Sequence, residues 1–76
     1  MNGNDLVTVK NLVLVHITDK AYGIAVIEEG AEGIPKVDFW LPKSQVDRIT
    51  MTAVGEIGEV DIPRWLAEKT NVEYED

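Results

Sequence analysis

The run of residues 12–17, Leu-Val-Leu-Val-His-Ile, limits the folds open to this chain more than any other feature. Successive side chains of a strand point to opposite sides of a sheet, and β-branched residues favour strands. Both sides of this segment are apolar, which is typical of a strand in the middle of a sheet. We therefore predict a central strand within residues 6–18.

Two further strands are predicted to follow the central one. Asp19 and Lys20 can close a tight turn, so residues 22–27 should pair back on the first strand as a hairpin. Residues 28–35 contain two glycines, a proline and three acidic residues, a composition that favours a solvated loop. The third strand is predicted at residues 36–41, and Pro42 ends it because proline has no backbone donor.

Alternation along the third strand divides its side chains between two faces. Val37, Phe39 and Leu41 are expected on one face, and Trp40 falls on the polar side with Lys36 and Asp38. Residues 43–45 should form a turn before the next extended segment.

The remaining elements complete a small, mainly β architecture. A fourth strand is predicted at residues 46–54, with Ile49, Met51 and Ala53 facing inward, and a fifth at residues 59–62, after a turn at residues 55–58. Proline suits the start of a helix, so residues 63–70 should be helical. Trp65 and Leu66 are expected to pack this helix on the sheet.

Asn71 is the expected C-cap of that helix. The 76 residues are predicted to form one domain, with an ordered core at about residues 6–72 and a frayed acidic tail at residues 73–76. Five short strands suit a small SH3-like or OB-like barrel, which we favour, or a twisted antiparallel sheet. An open sheet could also protect its edges by forming a homodimer.

Composition limits the chemistry that the chain can perform. There is no cysteine, so disulfides, thiolate nucleophiles and cysteine-based metal sites are excluded. His16 is the single histidine and lies in an apolar strand, where a structural role is the stronger interpretation. We expect no catalytic residue, no metal and no cofactor.

Charge and hydropathy narrow the choice of partners. The net charge of −7 opposes non-specific binding to nucleic acid and to anionic membranes. The sequence shows neither a signal peptide nor an apolar run of membrane-spanning length, so a cytoplasmic protein is expected. The acidic surface also raises the hypothesis of an inhibitor that mimics DNA.

One group of residues is a candidate interaction face: Lys36, Trp40, Lys43 and Arg48. Strand alternation could place these cations around an aromatic side chain on which an unpaired base could stack. The favoured alternative is that Trp40 packs under the C-terminal helix or in a dimer interface.

Two sequence blocks resemble short proteins encoded by tailed bacteriophages and prophages. The first is Phe-Trp-Leu-Pro-Lys-Ser-Gln at residues 39–45, and the second is Ile-Pro-Arg-Trp-Leu-Ala-Glu-Lys at residues 62–69. The resemblance implies a phage product that acts in the host bacterial cytoplasm, near replication and recombination or against host defence. Together with the composition, it suggests a non-enzymatic accessory protein that binds a host or phage protein. A weak single-stranded nucleic-acid binder of OB type is the alternative.

Overall fold

The computed structural model of the protein describes residues 5–27, 30 and 35–75. Its strands are β1 (Leu6–Ile17), β2 (Ala21–Val26), β3 (Phe39–Pro42), β4 (Arg48–Ile49) and β5 (Ile57–Pro63). A 3-10 turn covers Lys43–Gln45, and helix α1 covers Arg64–Thr70. The predicted mainly β fold with a short C-terminal helix is confirmed.

The strands form one antiparallel sheet in the order β3-β2-β1-β5-β4. β1 lies at its centre, as the apolar run of residues 12–17 predicts. Within the described residues β3 and β4 do not pair with each other, so the sheet stays open. The fold is therefore the twisted-sheet alternative and not the closed barrel that we favoured, because a two-residue β4 provides too few ladder bonds for closure.

A bulge in β1 keeps its apolar side chains on one face. Val7 and Val9 are buried, but the next buried residue is Leu12, three positions on instead of two. The pairing with β5 shifts register between Val9 and Leu12, where Asn11 has a left-handed φ of 61°. A slip of one residue would otherwise turn Leu12 and Leu14 away from the core, so the bulge restores their direction.

The core lies between this face of the sheet and α1. From the helix, Leu66 and Ala67 are buried against the sheet, as predicted for Leu66. The other buried members of this cluster come from the strands and from the segment after β4: Val7, Val9, Leu12, Leu14, Ile24, Leu41, Met51, Val60 and Ile62. Trp65 does not pack on the sheet as expected, since 54% of it is exposed.

The third strand begins three residues later than predicted. The Asp38 carboxylate accepts the N–H of Val26 at 2.9 Å, a bond that a backbone carbonyl makes in a regular ladder. The Asp38 N–H donates to Ile24 C=O, although Phe39 is the strand partner of Ile24. This irregularity breaks the alternation, so the assignment of Val37 to the Phe39 face is wrong. Val37 lies beside Gly23 and Trp40, on the face opposite the core.

The fourth strand is also shorter than predicted: beyond Ile49 the Thr50 N–H still donates to Glu59 C=O at 3.1 Å, but side chains accept other N–H groups. Thr50 Oγ1 accepts the Glu59 N–H at 2.9 Å, and the Glu56 carboxylate accepts the Thr52 N–H at 2.7 Å. Met51 is buried as expected, whereas Ala53 is exposed at a turn and does not face inward. The predicted turn at residues 55–58 lies earlier, and β5 begins at Ile57.

The C-terminal end of α1 agrees with prediction, but the tail does not. Asn71 adopts the left-handed C-cap conformation, with φ 60° and ψ 40°. The tail does not fray at Glu75, whose N–H and C=O both bond to the backbone of Thr8, at 2.8 and 2.9 Å. Tyr74 packs against the core and its hydroxyl donates to Glu68, so apolar contact holds an acidic segment in place. Most of the predicted loop at residues 28–35, and Asp76, lie outside the described residues.

Candidate functional site

A groove separates α1 from β3, the strand at one edge of the sheet. Its volume is about 400 Å³, within the range of ligand pockets in proteins. Both tryptophans contribute to it, Trp40 from β3 and Trp65 from α1, and they are 47% and 54% exposed. The remaining lining residues are Asp38, Phe39, Pro42, Leu66, Lys69 and Thr70.

Two short elements, β3 and α1, form the two walls of the groove. Leu41 is buried, which fixes β3 against the core and leaves Trp40 on the opposite face. On α1, burial of Leu66 and Ala67 leaves the neighbouring Trp65 pointing away from the sheet. The groove therefore has a mixed lining of apolar side chains and three polar ones, Asp38, Lys69 and Thr70.

Trp40 is held in place on the face of the sheet opposite the core. Its ring covers Gly23, where an added Cβ would lie 3.0 Å from the ring and 2.9 Å from Val37. His16 meets the ring edge-on, with centroids 5.9 Å apart and planes at 87°. Trp40 therefore does not pack under α1, and His16 contacts Trp40 while remaining exposed to solvent.

The four residues of the candidate interaction face are not brought together. Trp40 lies on β3 at one edge of the sheet, whereas Arg48 lies on β4 at the other edge. Lys43 lies in the 3-10 turn, with its ammonium 5.3 Å from the centroid of the Tyr22 ring. Lys36 is exposed in the segment before β3. The proposed cationic platform around Trp40 is therefore not formed.

Arg48 forms ion pairs with two carboxylates of β5. Its guanidinium donates to Asp61 at 2.8 Å and to Glu59 at 2.6 Å. The hydrogen bond from Arg48, followed by a 2.7 Å bond from the Thr8 hydroxyl, holds the pKa of Asp61 below its usual value of 3.8. The Nε and one terminal nitrogen of Arg48 are thus already paired with carboxylates of the sheet.

A second ion pair fastens the N-terminal side of the sheet to the start of α1. The Arg64 guanidinium donates to both Asp5 oxygens, at 2.6 and 3.1 Å, and Arg64 also lies over the Tyr74 ring. The hydrogen bond from Arg64 lowers the pKa of Asp5. These contacts hold α1 and the Tyr74 segment at one end of the sheet, which fixes the helical wall of the groove.

Sequence reasoning missed the contribution of α1 to the site. The sequence pattern predicts helix packing for Trp65 and no site role for Asp38, Pro42 or Lys69. Spacing gave no signal for this, since the adjacent Leu66 and Ala67 are both buried against the sheet. The position of β3 next to α1 also depends on the strand order and could not be derived from spacing.

The described residues contain no group of three or more histidine, aspartate or glutamate side chains placed to hold a metal ion. Among these residues, no helix has the length and apolar character needed to cross a membrane. Comparison with protein-family models, with curated proteins and with solved structures found no match. The groove is therefore interpreted from its own geometry.

Proposed function

We propose that this protein is a non-enzymatic accessory protein that acts by binding another protein through the groove between β3 and α1. The observation that carries the proposal is this groove itself, whose lining includes Trp40 and Trp65, residues that are 47% and 54% exposed. Tryptophan is the side chain most enriched among residues that dominate protein-protein binding energy. A folded domain gains no stability by leaving two such side chains in water, so a binding role explains them.

The phage setting is proposed from the sequence resemblance alone. The block at residues 39–45 includes β3 and the 3-10 turn, and the block at residues 62–69 includes most of α1. Both blocks therefore contribute residues to the same groove. The resemblance implies a tailed-phage or prophage product whose partner is a host or phage protein in the bacterial cytoplasm.

The groove favours a protein partner over nucleic acid. Lys69 is the single cation among its lining residues, and Asp38 offsets it. Arg48, which a nucleic-acid site at Trp40 would need, is paired with Asp61 and Glu59 at the far edge of the sheet. With a net charge of −7, the chain would also repel a phosphate backbone.

The test is affinity purification of the tagged protein from bacterial lysate, with and without nuclease. Trp65→Ala is the main variant, because Trp65 lies outside the buried core. Trp40→Ala tests the other wall. Val54→Ala is the matched control, since Val54 is 58% exposed at a turn and does not line the groove.

We expect one or more nuclease-resistant protein partners that are retained by Val54→Ala and lost by Trp65→Ala. Circular dichroism of each variant would establish that the fold is intact. Partners that remain bound to both tryptophan variants would contradict the assignment of the groove. Recovery that depends on nucleic acid would replace the proposal with the single-stranded nucleic-acid alternative.

A further inference from the structure

We propose that the groove accepts an extended segment of the partner, which adds to the sheet as a strand along the outer edge of β3. The inference rests on the proposed function and specifies how the partner is bound. β3 pairs with β2 on one side, and within the described residues no strand pairs with its other side. Strand addition is a common mode of peptide recognition at such an edge.

The backbone N–H and C=O groups of Trp40 point in the direction that strand addition requires. Lys43 N–H donates to Lys20 C=O at 2.8 Å, so the inward-pointing backbone groups at this end of the ladder belong to these two residues. Hydrogen-bonded pairs alternate along an antiparallel ladder, so Leu41 and Tyr22 form the next one. Trp40 and Gly23 are then a pair without mutual bonds, and the N–H and C=O of Trp40 point away from β2.

A second observation supports this alternation. Ala21 is the strand partner of Pro42, which has no N–H to donate. The Ala21 N–H bonds instead to the hydroxyl of Thr18 at 3.0 Å, as expected where the pair makes no ladder bonds. The outer edge therefore offers the donor and acceptor of Trp40 and the carbonyl of Pro42. A docked segment would make about three backbone hydrogen bonds there.

The chemistry of the walls indicates which segment fits. Alternate side chains of an added strand would face the apolar wall formed by Phe39, Leu66 and Trp65. Asp38 immediately precedes β3 and would attract a basic residue of the segment, whereas Lys69 on α1 would attract an acidic one. The net charge of −7 favours a basic partner and opposes a second copy of this chain, which carries the same charge. We infer an extended segment that alternates apolar and basic residues.

The first experiment selects binders from a displayed random-peptide library. The wild-type protein should enrich peptides with alternating apolar and basic residues, and Trp65→Ala should not. A selected peptide then serves as the probe for hydrogen exchange of ¹⁵N-labelled protein. At a peptide concentration of about 100 Kd, exchange of the Trp40 amide should slow by roughly 100-fold, because only the unbound state exchanges. The amide of Val54, at a turn outside the groove, should be unchanged.

Two further comparisons test the chemistry of the complex. N-methylation at every second residue of the peptide should abolish binding, because those N–H groups bond to β3. N-methylation at the residues between them should not. Asp38→Asn removes the charge but keeps an acceptor for Val26, so affinity should fall by up to about fivefold, as for an exposed ion pair. Glu73→Gln is the matched control, because Glu73 is exposed and does not line the groove.

Each contrary outcome has a distinct meaning. A peptide that binds wild type but not Trp65→Ala, without slowing the Trp40 amide, would overturn strand addition and leave the proposed function in place. Enrichment of no peptide, with a lysate partner still lost in Trp65→Ala, would also overturn the extended-segment inference alone. If no peptide is enriched and no lysate partner is lost in Trp65→Ala, the proposed function is contradicted as well. A dimer that protects the Trp40 amide at high protein concentration would show that a second copy occupies the edge.

Discussion

Asn11 determines the register of the central strand at the scale of a single residue. Its φ of 61° is rarely adopted by residues other than glycine, asparagine and aspartate. Its carbonyl accepts the N–H of Ile27 at 2.9 Å, which ties the bulge to the end of β2. The bulge in turn directs Leu12 and Leu14 into the core.

We expect Asn11→Ala to lower the free energy of unfolding by about 1 kcal/mol, the cost of a Cβ in this conformation. Asn11→Gly should stay within about 0.5 kcal/mol of wild type, since glycine adopts a positive φ without strain. Urea unfolding followed by circular dichroism measures both. Equal destabilisation by alanine and glycine would show that the asparagine side chain matters more than its backbone conformation.

Helix α1 shows at the scale of an element how one residue can serve stability and its neighbour binding. Leu66 is 4% exposed and joins the core, whereas the adjacent Trp65 is 54% exposed. The helix has only seven residues, so its stability comes from this packing and from the contacts that hold its ends. Asn71 supports the C-terminal end, where its N–H bonds to the Glu68 carbonyl at 3.1 Å.

Truncation of the smaller side chain, Leu66, should therefore destabilise the protein more than truncation of the larger one, Trp65. Leu66→Ala is expected to cost about 2–5 kcal/mol, the usual range for a buried leucine. Trp65→Ala should cost clearly less, because about half of the side chain is already in water. Urea unfolding of the two variants gives the comparison. A larger loss for Trp65→Ala would mean that this tryptophan is mainly structural and would weaken the proposed binding role.

At the scale of the whole molecule, ion pairs join segments that are distant in sequence. Arg48 on β4 bonds to Asp61 on β5, and Thr8 on β1 bonds to the same carboxylate. Asp5 and Arg64 connect the start of β1 to α1. All of these carboxylates act in their charged form, so their contribution depends on pH.

Asp61 provides a direct test of this pH dependence. Its pKa in the folded protein lies below the usual 3.8, chiefly because Arg48 donates to it. The stabilisation is therefore fully present above about pH 5 and is lost as the pH falls through the folded pKa. Wild type should be more stable than Asp61→Asn at pH 6, and the difference should narrow towards pH 2.

Thermal unfolding across this pH range measures the difference between the two proteins. Glu73→Gln removes an exposed carboxylate and serves as the control for the change in net charge. The difference in thermal stability between Glu73→Gln and wild type should not narrow towards pH 2, as the difference for Asp61→Asn does. A gap between wild type and Asp61→Asn that is constant with pH would contradict the linkage between ionisation and folding.

The strand character of the chain could be predicted because it depends on local pattern. The apolar run of residues 12–17 indicated the centre of the sheet, and the position of Pro63 and Asn71 indicated the two ends of α1. The predicted face of Trp40 was also correct, because the alternation at Phe39, Trp40 and Leu41 is regular. These features rest on intrinsic strand preference, side-chain period and capping, all of which act over a few residues.

Other features depend on contacts that spacing along the chain does not reveal. The loss of strand structure after Ile49 follows from bonds of Thr50 and Glu56 side chains to the backbone, and the docking of Glu75 follows from its pairing with Thr8. The strand order separates Arg48 from Trp40, so the predicted cationic face does not exist.

The sequence by itself determined that this chain forms a small β-sheet with a terminal helix, because hydrophobic period and local conformational preference suffice for that. Only the tertiary structure decided that β3 and α1 line one groove. Trp40 and Trp65 belong to these two elements, whose placement depends on the strand order, on the burial of Leu41 and Leu66, and on the docking of α1. Long-range packing, which no local pattern encodes, therefore creates the candidate site.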